Sequence, residues 1–229
     1  MSDPVPVERL KIWAAAQSIY RTMEFLFPDA PLKKIKPSLL ATDGISFGGC
    51  GLLFSDCSFL RALSGGFALP DLKRFLCHPV HSVECLRRLI RVKSLHGLCS
   101  GAREIRALLA GSIEAILTYA NLHPYSKALL SVDQHSTIRI GVINTPVNLL
   151  VYFDPVGGWK LRQDSAKEPV TCSLEFKSDQ VARLASCGQL DPWRAVADGS
   201  LIIGGQVPLV EKFGYISRIV QREVPQPRR

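Results

Sequence analysis

The stretch 188-GQLDPWRAVADGSLIIGG-205 holds a helix stop, a helix start, a turn and an apolar strand in eighteen residues, and its reading decides the fold. Gly188 is the residue type that ends a helix in a left-handed conformation. A short helix carrying Val181, Leu184 and Ala185, with Asp179 as N-cap, is therefore expected to stop there. Asp191-Pro192 starts the next helix: the aspartate caps it, and the proline occupies the first position, where its missing N–H costs nothing. Asp198-Gly199 closes that helix, with Gly199 expected at positive φ. "SLIIGG" then runs out as a strand whose two last glycines let backbone or ligand come close. Pro208 opens a final helix with Leu209, Phe213, Ile216 and Val220 on one face.

Upstream of this corner the apolar period is 2. "TIRIGVIN" alternates through Ile138, Ile140 and Val142, and "WKLRQ" sets Trp159 and Leu161 against Lys160 and Arg162. "TCSLEFKS" sets Cys172, Leu174 and Phe176 against Ser173, Glu175 and Lys177, while "NLLVYFD" is apolar on both faces. Four strands joined by short links predict a largely antiparallel sheet, with "NLLVYFD" at its centre. Before them, residues 102–122 place Ile105, Leu108, Leu109, Ile113, Ile116, Leu117 and Ala120 at spacings of three and four, a helix ended by His123-Pro124. With the corner's "SLIIGG", the expectation is an α+β fold: a five-stranded, largely antiparallel sheet covered by helices.

The run Leu184, Gly188, Leu190, Asp191, Pro192, Ala195, Gly199, Leu201, Ile203 and Gly205 resembles the C-terminal signature of the sterol carrier protein 2 family of small lipid-binding domains. The likeness extends through the order of elements over residues 102–229, and through residue identity over 184–205. It implies an apolar tunnel between sheet and helices for fatty acyl chains, sterol-like molecules or related lipids, with no catalytic group and no cofactor. Bacterial relatives imply quinone precursors as a narrower class. Candidate walls are Val151, Phe153, Leu174 and Phe176 from the sheet, and Trp193, Val196, Leu209, Phe213 and Ile216 from the helices. Two alternatives stay open: a filled-core scaffold without ligand, and an enzyme that uses N-terminal cysteines and histidines on an apolar substrate.

Residues 6–27 read as a helix with Leu10, Trp13, Tyr20, Met23 and Phe27 on one stripe, ended by Pro28. From 28 to 70 the signals are mostly Pro and Gly breakers between short apolar runs. Residues 79–95 read as a second helix with Pro79 in its first turn, and "SLHGLCSG" after it is the best linker. A mainly helical N-terminal region, 1–98, is thus expected to precede a lipid-binding domain, 99–229.

The chain has 229 residues, is 47% apolar and carries a formal charge of +8, which favours anionic partners in general. Seven cysteines, an odd number, and an opening "MSDPVPVERLK" unlike a secretory signal lead us to expect reduced thiols and a cytoplasmic protein, at most peripheral to a membrane. Cys77, His78, His81 and Cys85 lie within nine residues, but their spacing matches no zinc module and no metal is expected. Cys50 in "FGGCGLLF" has no recognisable base partner, and no Gly-Lys-Ser/Thr follows its glycines to bind phosphate. Lys73, Arg74, Arg87, Arg88, Arg91 and Lys93 oppose a single Glu84. Phe75 is the one aromatic residue there, which disfavours nucleic acid and leaves two readings of this basic patch, a solvated helix face or a contact with an anionic membrane surface.

Overall fold

A computed structural model describes residues 6–29, 36–40, 44–47, 52–64, 70–77, 79–95, 101–164 and 169–224. The sequence boundary near 98, His78 and Cys50 lie outside these residues, as do the side chains of Arg74 and His81.

The C-terminal half follows the expected order. Strands β4 (Thr137–Val142), β5 (Asn148–Asp154), β6 (Gly158–Gln163), β7 (Cys172–Phe176) and β8 (Leu201–Gly205) form a sheet in the order β6-β5-β4-β7-β8. All pairs are antiparallel except β4 and β7. The middle strand is β4 rather than the expected β5, because β7 returns to pair in parallel with the free edge of β4. The apolar outer face of β5 has another cause: Leu150 is buried there, and Tyr152 lies under the Arg162 guanidinium, 5.2 Å from its ring centre. Register places Leu149, Val151 and Phe153 on one face with Ile138, Ile140, Val142, Cys172, Leu174, Phe176, Leu201 and Ile203.

This apolar face is covered by α5 (Ala102–Leu122), α7 (Asp179–Ser186) and α9 (Val207–Glu223). Helix α5 buries residues on every side, from Ala107 to Ile113 to Tyr119, which marks a helix enclosed between two layers. The outer layer is α1 (Leu10–Leu26). Helices α1 and α5 meet through small residues: Ala14, Ala15 and Ala16 are buried on one, and Ala107, Ala110 and Gly111 on the other. A Cβ on Gly111 would stand 2.0 Å from Thr22 Oγ1 and 2.9 Å from the Ser18 carbonyl, so the close approach depends on glycine. The buried stripe of α1 is Leu10, Ile12, Ala15, Ala16, Met23 and Leu26; Trp13 and Tyr20 are only partly buried. The main hydrophobic core draws on residues from Leu10 to Val224, and a smaller cluster joins Leu26, Leu95, Ala107 and Leu108.

The breaker-rich segment contains a small sheet that the sequence reading does not anticipate. Strands β1 (Pro37–Leu40), β2 (Gly44–Phe47) and β3 (Leu52–Ser55) pair antiparallel and lead into α2 (Asp56–Leu63), which Ser55 caps. Arg9 ties this unit to the start of α1. Its guanidinium donates to both Asp56 carboxylate oxygens at 2.7 and 3.0 Å and to the carbonyls of Leu40 and Gly44. Two more helices follow, α3 (Leu72–Cys77) and α4 (Pro79–Leu95), and α4 packs on α1. Between α5 and the sheet lie a short α6 (Pro124–Leu129) and one 3-10 turn at Ser131–Asp133.

At the 188–205 corner, the Asp191 carboxylate accepts from the amides of Trp193 and Arg194 at the start of α8 (Pro192–Ala197), and Gly199 has φ 71°. Nothing lies within 4 Å of where a Gly199 Cβ would stand, so conformation alone, not space, selects glycine. The cap of α7 is Ser178, not Asp179. The Ser178 hydroxyl accepts from the Val181 amide, and Asp179 is the first helical residue.

Candidate functional site

A cavity of about 110 Å³ lies within the helical layer, where α1, α5, α7 and the C-terminal end of α9 converge. Its apolar wall includes Ile19, Leu108, Ile116, Val220 and Val224, with alanines at 15, 115 and 185 leaving the space open. Its polar wall is made of Ser18, Thr22, Ser112, Ser186, Ser217 and Gln221, and no lining side chain is charged. The small residues that let α1 approach α5 therefore also shape this space.

Three of the hydroxyls are arranged alike. Thr22 donates to the Ser18 carbonyl at 2.8 Å, Ser112 to Leu109 at 2.9 Å and Ser186 to Ala182 at 2.9 Å. The Ser217 oxygen accepts from Gln221 Nε2 at 3.3 Å. A hydroxyl that gives its proton to its own helix keeps an oxygen lone pair for another donor. The wall thus offers hydroxyl acceptors at Thr22, Ser112 and Ser186, a hydroxyl and an amide at Ser217 and Gln221, and no charge.

The residues expected to line a sheet-side tunnel divide into groups. Val151, Phe176, Leu209, Phe213 and Ile216 are buried in one core, and Leu174 and Phe153 are partly buried against it, Phe153 packed edge-on to Trp159. Leu209, Phe213, Ile216 and Val220 follow one stripe of α9, so the stripe that packs toward the sheet continues into the cavity wall at Val220. The structure does not bring Trp193 and Val196 into this group. Helix α8 buries Ala195, which leaves Trp193 70% and Val196 42% exposed. The residues that the sequence reading missed are those of α1 and the inward small residues of α5 and α7. Their signal was the repeated small residues 14-AAA-16 and 110-AGS-112, which a search for large apolar side chains passes over.

Among the other candidates, Cys77 is exposed at the end of α3, while Cys85 is buried on the inner side of α4. No group of three or more His, Cys, Asp or Glu suited to a metal ion occurs among the described residues. Burial pushes the Cys172 thiol up to about 11. In the basic patch, Arg88 pairs with Glu84 and lies 5.7 Å from the Phe27 ring centre, and Arg91 pairs with Glu104. Lys93 reaches the Ala62 carbonyl, and Lys73 and Arg87 are exposed. No helix among the described residues is long and apolar enough to cross a membrane.

The fold defined by this geometry is an α+β sandwich: one face of a five-stranded sheet under a helical layer, with a further helix outside. No family model and no curated protein matches the sequence. Among solved structures, the chain is similar to the sterol carrier protein domain 2 of Helicoverpa armigera, with 16% identity, a TM-score of 0.39, and coverage of 50% of this chain and 89% of that one. It is also similar to a protein described as UbiJ-SCP2, a ubiquinone synthesis protein, with 17% identity, a TM-score of 0.39 and coverage of 49% and 95%. A third likeness is to apo sterol carrier protein 2 from Yarrowia lipolytica, with 15% identity, a TM-score of 0.29 and coverage of 44% and 90%.

Proposed function

We propose that this protein binds a hydrophobic small molecule, non-covalently and without transforming it, between α9 and the helices beneath it. The observation that carries this reading is the cavity, with its apolar wall, hydroxyl acceptors and lack of charge. A space of this size is comparable to the roughly 150 Å³ engineered cavity that accepts benzene, so it takes the end of a longer ligand. The rest of such a ligand would follow the Val220–Ile216–Phe213 stripe, which is packed in the core, so its binding would require α9 to move and expose Phe213 and Ile216. Each buried methylene contributes about 0.8 kcal/mol, so a dozen carbons contribute about 10 kcal/mol before ordering costs, which leaves binding in the range of tens to hundreds of micromolar.

Of the ligand classes that the sequence implies, the wall favours the neutral ones. A fatty carboxylate would be buried there without a positive partner, at considerable cost, whereas a hydroxyl donates to the waiting oxygens. Sterol-like molecules, hydroxylated quinone precursors and fatty alcohols fit this description. The proposal keeps residues 99–229 as the binding domain, with α1 contributing one wall.

Isothermal titration calorimetry with 1-dodecanol and dodecanoate at pH 8 tests the reading. Binding of the alcohol at tens to hundreds of micromolar is expected, at least tenfold weaker binding of the carboxylate, and at least tenfold weaker binding of the alcohol by Ala185→Phe, which fills the space. Equal binding of alcohol and carboxylate, or no effect of the filling side chain, would contradict it.

A further inference from the structure

Helices α3 and α4 leave apolar side chains in the open. Leu72 and Leu76, one turn apart on α3, are 58% and 72% exposed. Val80, Val83 and Ile90 on α4 are 78%, 44% and 60% exposed. The α4 positions 80, 83, 87 and 90 recur at spacings of three and four, so they form one stripe opposite the buried Ser82, Cys85 and Val92. Arg87 sits in the middle of that stripe, and Lys73 beside Leu72; both are exposed and neither makes an ion pair among the described residues. Two acidic residues stand among these cations: Glu84 is held by Arg88 at 2.8 Å, and Asp71 accepts from the Lys73 amide at 2.9 Å at the start of α3, which leaves an excess of positive charge.

From this juxtaposition we infer that α3 and α4 form a docking surface for an anionic lipid bilayer. An exposed apolar stripe interleaved with cations matches a membrane interface, where the apolar side chains enter the acyl boundary and the cations stay at the headgroups. Charge sets it apart from another exposed apolar segment among the described residues. Around Trp193, Val196, Ile202 and Val207, Arg194 stands between Asp191 and Asp198, so nothing there selects an anionic surface. Docking also has a position relative to the cavity. Helix α4 packs on α1, and α1 supplies Ala15, Ser18, Ile19 and Thr22 to the cavity wall, so the bilayer would lie one helix away from the cavity. The docking surface stands on its own exposed residues and does not depend on what the cavity holds.

Co-sedimentation of the full chain with vesicles tests the inference. Phosphatidylcholine vesicles with and without 30% phosphatidylglycerol are compared at 50 and 500 mM NaCl. Binding to the anionic vesicles at low salt is expected, with loss at high salt and with pure phosphatidylcholine. Each removed cation should weaken binding about fivefold, so Lys73→Gln with Arg87→Gln should cost about twenty- to thirtyfold. Leu76→Ser, Val80→Ser and Ile90→Ser together should weaken it by at least tenfold. All five side chains are exposed, and unchanged circular dichroism confirms that the variants fold. The inference is overturned if the wild type stays in the supernatant with anionic vesicles at 50 mM NaCl, or if the triple apolar variant sediments like the wild type. It is also overturned if sedimentation velocity shows a dimer that the triple variant abolishes, since the stripe is then a protein contact.

Discussion

The two halves of the chain use the same core in opposite ways. Residues 102–224 build a sheet whose one apolar face demands a cover, and each element shows its burial in its own period: 2 along Ile138, Ile140 and Val142, and close to 3.6 along Leu209, Phe213, Ile216 and Val220. The N-terminal half supplies α1 as a second cover, laid over a helix already seated on the sheet. Its buried face combines Leu10, Ile12, Met23 and Leu26 with three alanines, and these small residues, with Gly111 opposite, let α1 approach α5 closely. The comparison teaches that a helix legible from its large apolar stripe can still make its closest contact through small residues that the stripe does not mark. It also explains why the cavity sits at this junction: small residues that admit a close approach leave space wherever the approach is not complete.

If the halves are one cooperative unit, equal damage on either side must act on the same transition. Met23→Ala in α1 and Ile138→Ala in β4 both truncate fully buried side chains and should each destabilise the protein by about 2–5 kcal/mol. Urea unfolding followed by tryptophan fluorescence and by circular dichroism should give a single coincident transition for both variants. Two separated transitions for Met23→Ala would split the molecule at the α1–α5 contact.

The C-terminal half is legible from sequence because its signals are local. Asp191-Pro192, Gly199 and Gly188 each select a backbone state without help from the rest of the chain, and all three behave as read. What depends on partners is not legible. The parallel return of β7 to β4 puts β4 in the middle, and nothing within "TIRIGVIN" distinguishes it from β5 in this respect. The three-stranded sheet of residues 37–55 consists of four-residue strands, too short for a period to register among prolines and glycines, and it is fixed from outside by Arg9. The site follows the same pattern. The α9 stripe is readable, whereas Ser18, Thr22 and Ser112 become wall residues only once α1 docks.

A smaller effect probes the same contact from the α5 side. Gly111→Val forces Thr22 and the Ser18 carbonyl outward, and overpacking of this kind should cost about 1–3 kcal/mol in chemical denaturation. Pairing it with Thr22→Ala should recover part of the loss if steric conflict at Thr22 is the cause, and none of it otherwise.

The smallest effect is read as pH dependence. Burial, then the hydrogen bond to Glu223, holds the Tyr119 hydroxyl well above the usual phenol range, and burial together with Glu24 pushes Tyr20 up to about 12. A phenol whose folded pKa is raised contributes stability that is fully present below the unfolded value near 10 and is lost as the pH climbs above it. The thermal midpoint should show no tyrosine-linked fall up to about pH 9.5, then drop, with a shallower drop in Tyr119→Phe. Equal slopes in the two proteins above pH 10 would remove Tyr119 from the explanation.

The most direct measurement is a crystal structure of the protein grown with 1-dodecanol. Density for the alcohol is expected between α1, α5, α7 and α9, with its hydroxyl within hydrogen-bond reach of Ser186 or Ser217 and its chain running under α9 past Ile216 toward Phe213. Density confined to the outer surface, or a cavity closed by its own side chains at saturating alcohol, would contradict the proposed binding site.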